Sequence, residues 1–321
     1  MESKLFSLPA SEDLFSQNPV GMGASRIWEK IRLIMDRIYS ENPMDNRHFQ
    51  ILEDRVEDCF GIMLELKEAI NLTPEIVFGI FNTINERLKS YLNIYITHLF
   101  ETFHELAGED LISSHNILSS YNSKWEAYKQ KSRELYDAFE RVNNLLMYKF
   151  GDHLWTQEAS QLHNTSFIDV FKLSFVTWRN VLLAGDNNLI IVTAALQLIE
   201  AERDGFKINT SLLSGLVHSY IELGELYKNN SDDGSVLYFY VEAFEKLFLE
   251  DTMHYYRREV NFLSSINCEI DYWTRAQQRF AQERARVKLY LHESTEKKLI
   301  TVCENELTPK YLEDLMSAFK L

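Results

Sequence analysis

Helix-breaking residues are scarce in this chain, which has 11 glycines and 5 prolines among its 321 residues. Tight turns and phosphate-binding loops use glycine, so a β-sandwich or an α/β enzyme of this length would contain more of it. Long elements that few breakers interrupt are helices. We therefore expect an all-α fold. The 45% of hydrophobic residues can form a large core without disulfides or structural metals.

Apolar residues in the first half of the chain recur at spacings of three and four, as they do in amphipathic helices. Serine, threonine and aspartate are good N-caps, and proline at the first helical position loses no hydrogen bond. The helices predicted on these grounds begin at Ser25, Asp45, Thr73-Pro74 and Ser114. Gly108 ends the third of them, which at 1.5 Å per residue would be roughly 50 Å long.

The second half shows the same periodicity between groups of breakers. The helices predicted there cover 165–184, 187–203, 209–227, 234–266 and 268–299, and Thr308-Pro309 would start another. The organisation is thus two groups of about five helices and the beginning of a third. It indicates stacked helical bundles, although no repeat is visible at the level of single residues.

Charge and cysteine content exclude several classes of function. The net charge of −15 is unfavourable for binding nucleic acid, which needs clustered cations. We interpret the local basic stretches as a solvated helix face; the most notable contains Arg275, Arg279, Arg284, Arg286 and Lys288. Cys59, Cys268 and Cys303 are few and far apart, which indicates neither a disulfide framework nor a redox motif.

Targeting signals and catalytic motifs are also missing from the sequence. The N-terminus lacks the order of a signal peptide, and the longest apolar run, Leu189 to Ile199, is too short for a bilayer. We expect a cytoplasmic and nuclear protein with no membrane contact. Glu101-Thr-Phe-His104 matches one part of a di-iron site but has no second copy, so we predict no metal, no cofactor and no enzyme activity.

Several segments of the chain resemble cullins, and they occur in the order in which that family has them. These segments are Trp125-Glu-Ala-Tyr128, Phe175-Val-Thr-Trp-Arg179, Gln197-Leu-Ile-Glu-Ala-Glu-Arg-Asp-Gly205, Val217-His-Ser-Tyr-Ile-Glu-Leu-Gly224, Tyr255-Tyr-Arg-Arg-Glu259 and Arg286-Val-Lys-Leu-Tyr-Leu-His-Glu-Ser-Thr295. Each is moderately specific, but together they cover most of the chain from about 120 to 303.

The resemblance implies an elongated stalk of tandem five-helix cullin repeats. The expected parts are a flexible tail over 1–24, a first repeat over 25–150, a second over 151–299 and the start of a third over 300–321. We expect the chain to lack the family's far C-terminal globule, which binds a RING-box protein. We therefore expect a non-catalytic scaffold without ligase activity of its own.

The resemblance also implies partners. Ser16-Gln-Asn-Pro19 precedes the first helix, as in the cullins of SCF ubiquitin ligases. In that class the tip of the first repeat holds a Skp-type adaptor of the BTB/POZ fold, which carries an F-box substrate receptor. Gln17, Asn18 and Pro19 would contact the adaptor or receptor. A cullin-exchange factor is a further expected partner.

In such cullins the adaptor docks on the second and fifth helices of the first repeat. Matching the residues puts two family tyrosines at His48 and Leu52, and a Tyr-Leu-Asn triplet at Arg141, Val142 and Asn143. These departures leave open which adaptor is used. The predicted adaptor surface consists of His48, Phe49, Ile51, Leu52, Val56, Phe139, Arg141, Val142 and Asn143.

Local charge differs from the overall charge near this predicted surface. The span from Ile117 to Lys149 contains six basic and four acidic residues, a net charge of +2. Skp-type adaptors are acidic, so Arg141 either pairs with an adaptor carboxylate or is a solvated side chain. The alternative to the whole interpretation is another helical-rod protein, such as a vesicle-tethering subunit.

Overall fold

The computed structural model describes residues 19–40, 61–62, 74–108, 110–154, 170–225, 236–263 and 269–308. Within these ranges it is helical and contains no strand, which confirms the predicted all-α class. The helices are α1 Pro19–Ile38, α2 Pro74–Leu106, α3 Leu111–Leu154, α4 Val170–Leu182, α5 Asn187–Arg203, α6 Thr210–Glu225, α7 Tyr238–Tyr240, α8 Lys246–Leu263, α9 Glu269–Tyr290 and α10 Glu296–Leu307.

The first helix begins earlier than its sequence predicts. It starts at Pro19 rather than at Ser25, so the last residues of the expected tail are helical. Proline suits the first position of a helix because it has no amide hydrogen to leave unpaired there. The apolar stripe was located correctly: Trp28, Ile31 and Met35 are among its buried residues.

Helices α2 and α3 are long, as their scarce breakers predict. Helix α2 has 33 residues and starts at Pro74, and helix α3 has 44 residues. Ile80, Ile84 and Leu88 of the predicted stripe are buried. Between the helices, Asp110 Oδ1 accepts a hydrogen bond of 2.7 Å from the Ser113 amide, and this bond lowers the pKa of the Asp110 carboxyl.

The turn after helix α5 explains why residue 205 is a glycine. Gly205 has a φ of +92°, a left-handed conformation that glycine adopts without strain. The amides of Phe206 and Gly205 donate to the carbonyls of Ala201 and Glu202 at 2.9 and 3.0 Å, which is the Schellman pattern. The breaker Asp204-Gly205 therefore ends this helix as predicted.

Two predicted helices differ from the structure. The helix expected over 234–266 contains a π-helical turn at Val241–Glu245, between α7 and α8. The helix expected over 268–299 is interrupted after Tyr290: His292 is extended, with φ −81° and ψ 142°, and a 3₁₀ turn follows at Glu293–Thr295. Periodicity predicts neither feature, because apolar spacing continues through both.

The described helices belong to two compact units. One comprises residues up to Leu99 together with Glu126–Val181, and the other comprises Phe100–Trp125 together with the chain from Leu182 onward. We call them the first and the second unit and describe each by itself. The repeat boundaries expected at 150 and 299 stay a prediction.

Candidate functional site: the predicted adaptor surface and the framework behind it

Most of the predicted adaptor surface lies outside the described residues. This applies to His48, Phe49, Ile51, Leu52 and Val56, and to Gln17 and Asn18 of the predicted tail. Pro19 is the first residue of α1. The assignment of these residues to an adaptor surface therefore stays a prediction.

The remaining predicted contacts lie on helix α3. Arg141, Val142 and Asn143 are helical, but their side chains are outside the described part of the structure. Phe139 is described and is only 3% exposed. It packs inward in this chain, so an adaptor contact would require Phe139 to leave the core.

One lysine of α3 holds the end of α1, directly before the segment that carries His48. Lys131 Nζ donates to the carbonyl oxygens of Ser40 at 3.1 Å and Tyr39 at 3.4 Å. These carbonyls follow the last turn of α1, where the helix dipole favours a cation. Lys131 also donates to the Tyr95 hydroxyl at 3.3 Å. A cation from α3 thus fixes the point at which the chain leaves α1.

Aromatic rings surround the same point in the first unit. The Tyr39 ring lies edge-on to Tyr95 with centroids 4.7 Å apart, and Tyr128 lies 4.9 Å from Trp178. The Tyr128 hydroxyl donates to the Ser174 carbonyl at 2.8 Å. Burial raises the pKa of both Tyr39 and Tyr128, so they remain neutral. Helices α1, α2, α3 and α4 are therefore joined where the predicted adaptor segment begins.

A buried charge network holds the second unit together. Arg203 of α5 donates from Nε to Glu283 Oε1 of α9 at 3.0 Å, and from Nη2 to Thr252 Oγ1 of α8 at 2.7 Å. The side chains of Arg203 and Glu283 are both 0% exposed. Burial alone would raise the pKa of Glu283, but Arg203 and Arg286 lower it, so the carboxylate is ionised.

The network continues along α9. Arg286 donates to Glu283 Oε1 at 2.8 Å and to Glu202 Oε2 at 3.1 Å. Tyr290 donates to the same Glu202 oxygen at 2.8 Å. Arg203 itself lies over three aromatic rings, those of Phe248, Tyr255 and Tyr256 at 5.1 to 5.6 Å. Three helices are thereby fixed in register by charge as well as by packing.

A second polar cluster joins the π-turn to the break after α9. The Thr295 hydroxyl is buried and donates to Glu245 Oε1 at 2.7 Å, and it lies 2.8 Å from the Tyr240 hydroxyl. Lys298 donates to the other Glu245 oxygen at 2.5 Å. Inside the π-turn, the Ala243 carbonyl accepts from Asn188 Nδ2 at 3.0 Å. π-Turns are rare, and here the turn places Glu245 opposite Thr295.

The structure corrects the interpretation of the basic stretch as a solvated face. Arg286 is only 5% exposed, and Arg279 donates to Glu259 at 2.6 Å with its side chain 22% exposed. Both belong to internal networks, while Arg275, Arg284 and Lys288 are exposed. Helical periodicity could have separated the two sets, because Arg279 and Arg286 are seven residues apart and share one side of α9.

The catalytic and metal motifs give no site among the described residues. His104 lies 2.9 Å from Asn187 Oδ1, and no group of three His, Cys, Asp or Glu side chains in the described ranges could hold a metal ion. Cys303 is buried and free, and burial raises the pKa of its thiol. No single helix in the same ranges is long and apolar enough to cross a bilayer.

Comparison with known proteins links these features to one family. The sequence profile of the Cullin alpha solenoid domain matches residues 28–321. The chain is 29% identical to Cullin-1 of Caenorhabditis elegans over 309 residues, which is 91% of this chain and 38% of that protein. It is 28% identical to Cullin-1 of Dictyostelium discoideum over 239 residues, 74% of this chain and 29% of that protein.

A further relative is cell division control protein 53 of Saccharomyces cerevisiae, at 24% identity over 240 residues, 74% of this chain and 26% of that protein. The chain thus spans less than two fifths of the length of these relatives. The motifs that resemble cullins contain several residues of the buried networks, among them Arg203, Arg286 and Thr295. Because the domain profile covers nearly the entire sequence, the chain belongs to the cullin family.

Proposed function

We propose that this chain is the N-terminal arm of a scaffold subunit of an SCF-type cullin-RING ubiquitin ligase, and that it is not itself an enzyme. The observation that carries the proposal is the match of the cullin domain over residues 28–321. The relatives named Cullin-1 support the SCF type. We further propose that the protein acts in the cytoplasm and the nucleus.

Its partner at the tip would be a Skp-type adaptor of the BTB/POZ fold with an F-box receptor. The predicted contact segment follows Ser40 directly, and Lys131 and the tyrosine cluster fix the end of α1 at that point. A fixed starting point limits the orientations available to the bound adaptor. A RING-box protein would bind a part of the family's fold outside these residues, and an exchange factor would compete for the tip.

Stiffness would be the mechanism of such an arm, since a scaffold works by holding captured substrate at a set distance from the catalytic end. The buried network of Arg203, Glu283 and Thr252 supports this within the second unit, because it joins helices α5, α9 and α8. Buried ionic groups that hydrogen-bond to one another favour one arrangement of the helices, which is the property that a spacer needs.

The most specific part of the proposal is the role of Arg141. We propose that it pairs with a carboxylate of an acidic adaptor, in place of an aromatic contact. The test is a double-mutant cycle between Arg141→Ala and each nearby adaptor carboxylate. Coupling of zero at every carboxylate would leave Arg141 as a solvated side chain.

Affinity capture of the tagged chain from cell extract, followed by mass spectrometry, tests the function. We expect a Skp-type adaptor and several F-box proteins. Recovery of vesicle-coat or tethering proteins without any adaptor would instead favour the helical-rod alternative.

Purified components then test the surface. Phe49→Asp or Leu52→Asp should abolish adaptor binding, since burying an unpaired carboxylate costs several kcal/mol. Ile112→Asp is the matched control, because Ile112 is 74% exposed and lies outside the predicted surface. Circular dichroism must show unchanged helicity, and loss of binding only together with unfolding would contradict the surface assignment.

A further inference from the structure

The solvent face of α9 differs from the rest of this acidic protein. From Thr274 to Tyr290, the exposed charged side chains are Arg275, Arg284 and Lys288, and none is acidic. The one acid in this span, Glu283, is buried within the charge network. An exclusively basic surface running over four turns is unusual in a chain with a net charge of −15.

The centre of this face is uncharged. At 100° per residue, Gln278, Ala281, Ala285 and Leu289 form one row along the helix, with the cations on either side of it. Leu289 is 54% exposed, although it is a large apolar residue. Alanines in such a row allow a second helix to approach closely. The row and its flanks therefore have the layout of a helix-binding surface.

Among the described residues, Arg275 and Lys288 form no ion pair, and Arg284 forms only a long one. Arg279 and Arg286, on the inner side of α9, pair with Glu259 and Glu202. In contrast, Arg284 Nε lies 3.8 Å from Glu296 Oε1, which is long for an ion pair, and both side chains are about half exposed. Such exposed pairs contribute little to stability. The outer cations are therefore available to a partner.

We propose that the outer face of α9 is a docking site for an acidic amphipathic helix of a partner protein. Small apolar residues of that helix would pack on Ala281, Ala285 and Leu289, and its carboxylates would face Arg275 and Lys288. Charge complementarity selects this occupant. Nucleic acid fits less well, because three cations spread over the helix neutralise few phosphates. A phosphate backbone also offers no apolar surface to the row of alanines and Leu289. The site is independent of the adaptor surface.

The probe is a pair of synthetic helical peptides of about 21 residues with the same Ala/Leu row. One carries Glu beside the row and the other carries Lys. Binding of the fluorescently labelled peptides to the whole chain is measured by anisotropy at two salt concentrations. We expect the Glu peptide to bind at least tenfold tighter than the Lys peptide, with the difference shrinking at high salt.

Variants locate the site. Arg275→Glu with Lys288→Glu should weaken binding of the Glu peptide at least tenfold. The matched pair Lys89→Glu with Arg133→Glu, which makes the same change of charge at exposed positions of other helices, should change it less than twofold. Leu289→Asp should weaken binding, whereas Leu183→Asp, at a residue 51% exposed, should not.

Other results would overturn the proposal. Equal affinity for the two peptides would contradict a site that selects an acidic helix. Equal losses of Glu-peptide affinity in the two charge-reversal pairs would mean that the overall charge of the chain, and not this face, determines binding. Self-association in analytical ultracentrifugation that Arg275→Glu with Lys288→Glu abolishes would make a second copy of the chain the occupant. Binding to phosphatidylserine vesicles but not to the Glu peptide would assign the face to a lipid surface.

Discussion

Arg203 and Glu283 form an ion pair in which neither side chain is exposed to solvent, with 3.0 Å between Arg203 Nε and Glu283 Oε1. The two residues are 80 positions apart in the sequence and join helices α5 and α9. Desolvating two charges is costly, so such a pair persists only when further hydrogen bonds satisfy it. Thr252, Tyr256 and Arg286 provide those bonds here.

Removing the arginine should destabilise the second unit strongly. Arg203→Met keeps the aliphatic stem but leaves a buried carboxylate with fewer partners. Because Arg286 still donates to Glu283 at 2.8 Å, we expect a loss of about 3 kcal/mol, the lower end for broken buried pairs. Urea unfolding followed by circular dichroism measures the change.

The control for this variant is Arg258→Met. Arg258 pairs with Glu200 at 2.6 Å, but its side chain is 64% exposed, so we expect a change below about 1 kcal/mol. Similar losses in the two variants would contradict the assignment of stability to the buried pair.

The pH dependence of stability should report on Glu283. Its pKa is lower in the folded chain than the ordinary value of about 4.3 for glutamate, so the ionised form stabilises the fold. That contribution is complete above the ordinary value and is lost as pH falls through the lowered folded pKa. The free-energy difference between the wild type and Glu283→Gln should therefore be largest near pH 7 and shrink below about pH 4.

Urea titrations at pH 7, 5, 4 and 3 give this difference directly. A second substitution, Glu306→Gln, serves as the control, since Glu306 pairs with the exposed Arg257 at 2.8 Å. A gap for Glu283→Gln that is constant with pH would mean that its carboxylate does not titrate with unfolding.

The fold was predictable where a local signal existed. Pro74 starts α2 and Gly205 ends α5. Both boundaries depend on one residue each, because proline has a fixed φ that suits a helix start and glycine readily adopts the left-handed φ of a helix end. The break at His292 was not predictable. A buried hydrogen bond between Thr295 and Glu245, 50 residues apart, lies beside it, and periodicity carries no information on such a contact.

That contact gives a third prediction. Thr295→Val keeps the shape of the side chain but removes its hydrogen bonds to Glu245 and Tyr240. Burial raises the pKa of Tyr240 to about 12, so its hydroxyl is protonated and would lose its acceptor. We expect a loss of about 1–3 kcal/mol, the cost of unsatisfied buried polar groups.

Thr301→Val is the matched control for Thr295→Val. Its hydroxyl is exposed and donates only to the Lys297 carbonyl of its own helix at 2.9 Å, so its removal should cost little. Hydrogen exchange should also speed up in the π-turn Val241–Glu245 of the Thr295 variant. Unchanged exchange there would show that the cluster does not hold the turn.

The candidate site was predictable only through the resemblance. Only helical periodicity could have separated the internally paired Arg286 from the exposed Arg284, because the apolar Phe280 and Val287 mark the buried side of α9. Phe139, which we included in the predicted adaptor surface, is 3% exposed in this chain, and its assignment to that surface stays a prediction.

The last prediction concerns Lys131, which connects the framework to the proposed adaptor surface. Lys131→Met keeps an unbranched side chain but removes the cation from the carbonyls of Tyr39 and Ser40 and from the rings of Tyr39 and Tyr95. A partly buried cation at a helix C-terminus is worth up to about 2 kcal/mol, so the end of α1 should fray.

The adaptor segment begins directly after that end, so its orientation should also become less defined. We expect helicity to remain near that of the wild type and adaptor affinity to fall by up to about tenfold, the equivalent of 1.4 kcal/mol. Lys89→Met is the control, because Lys89 is 54% exposed and its ion pair with Glu86 is long, at 3.9 Å. Hydrogen exchange at Tyr39 and Ser40 should be faster in Lys131→Met than in the wild type. If exchange is faster but adaptor affinity is unchanged in both variants, the end of α1 does not position the adaptor segment.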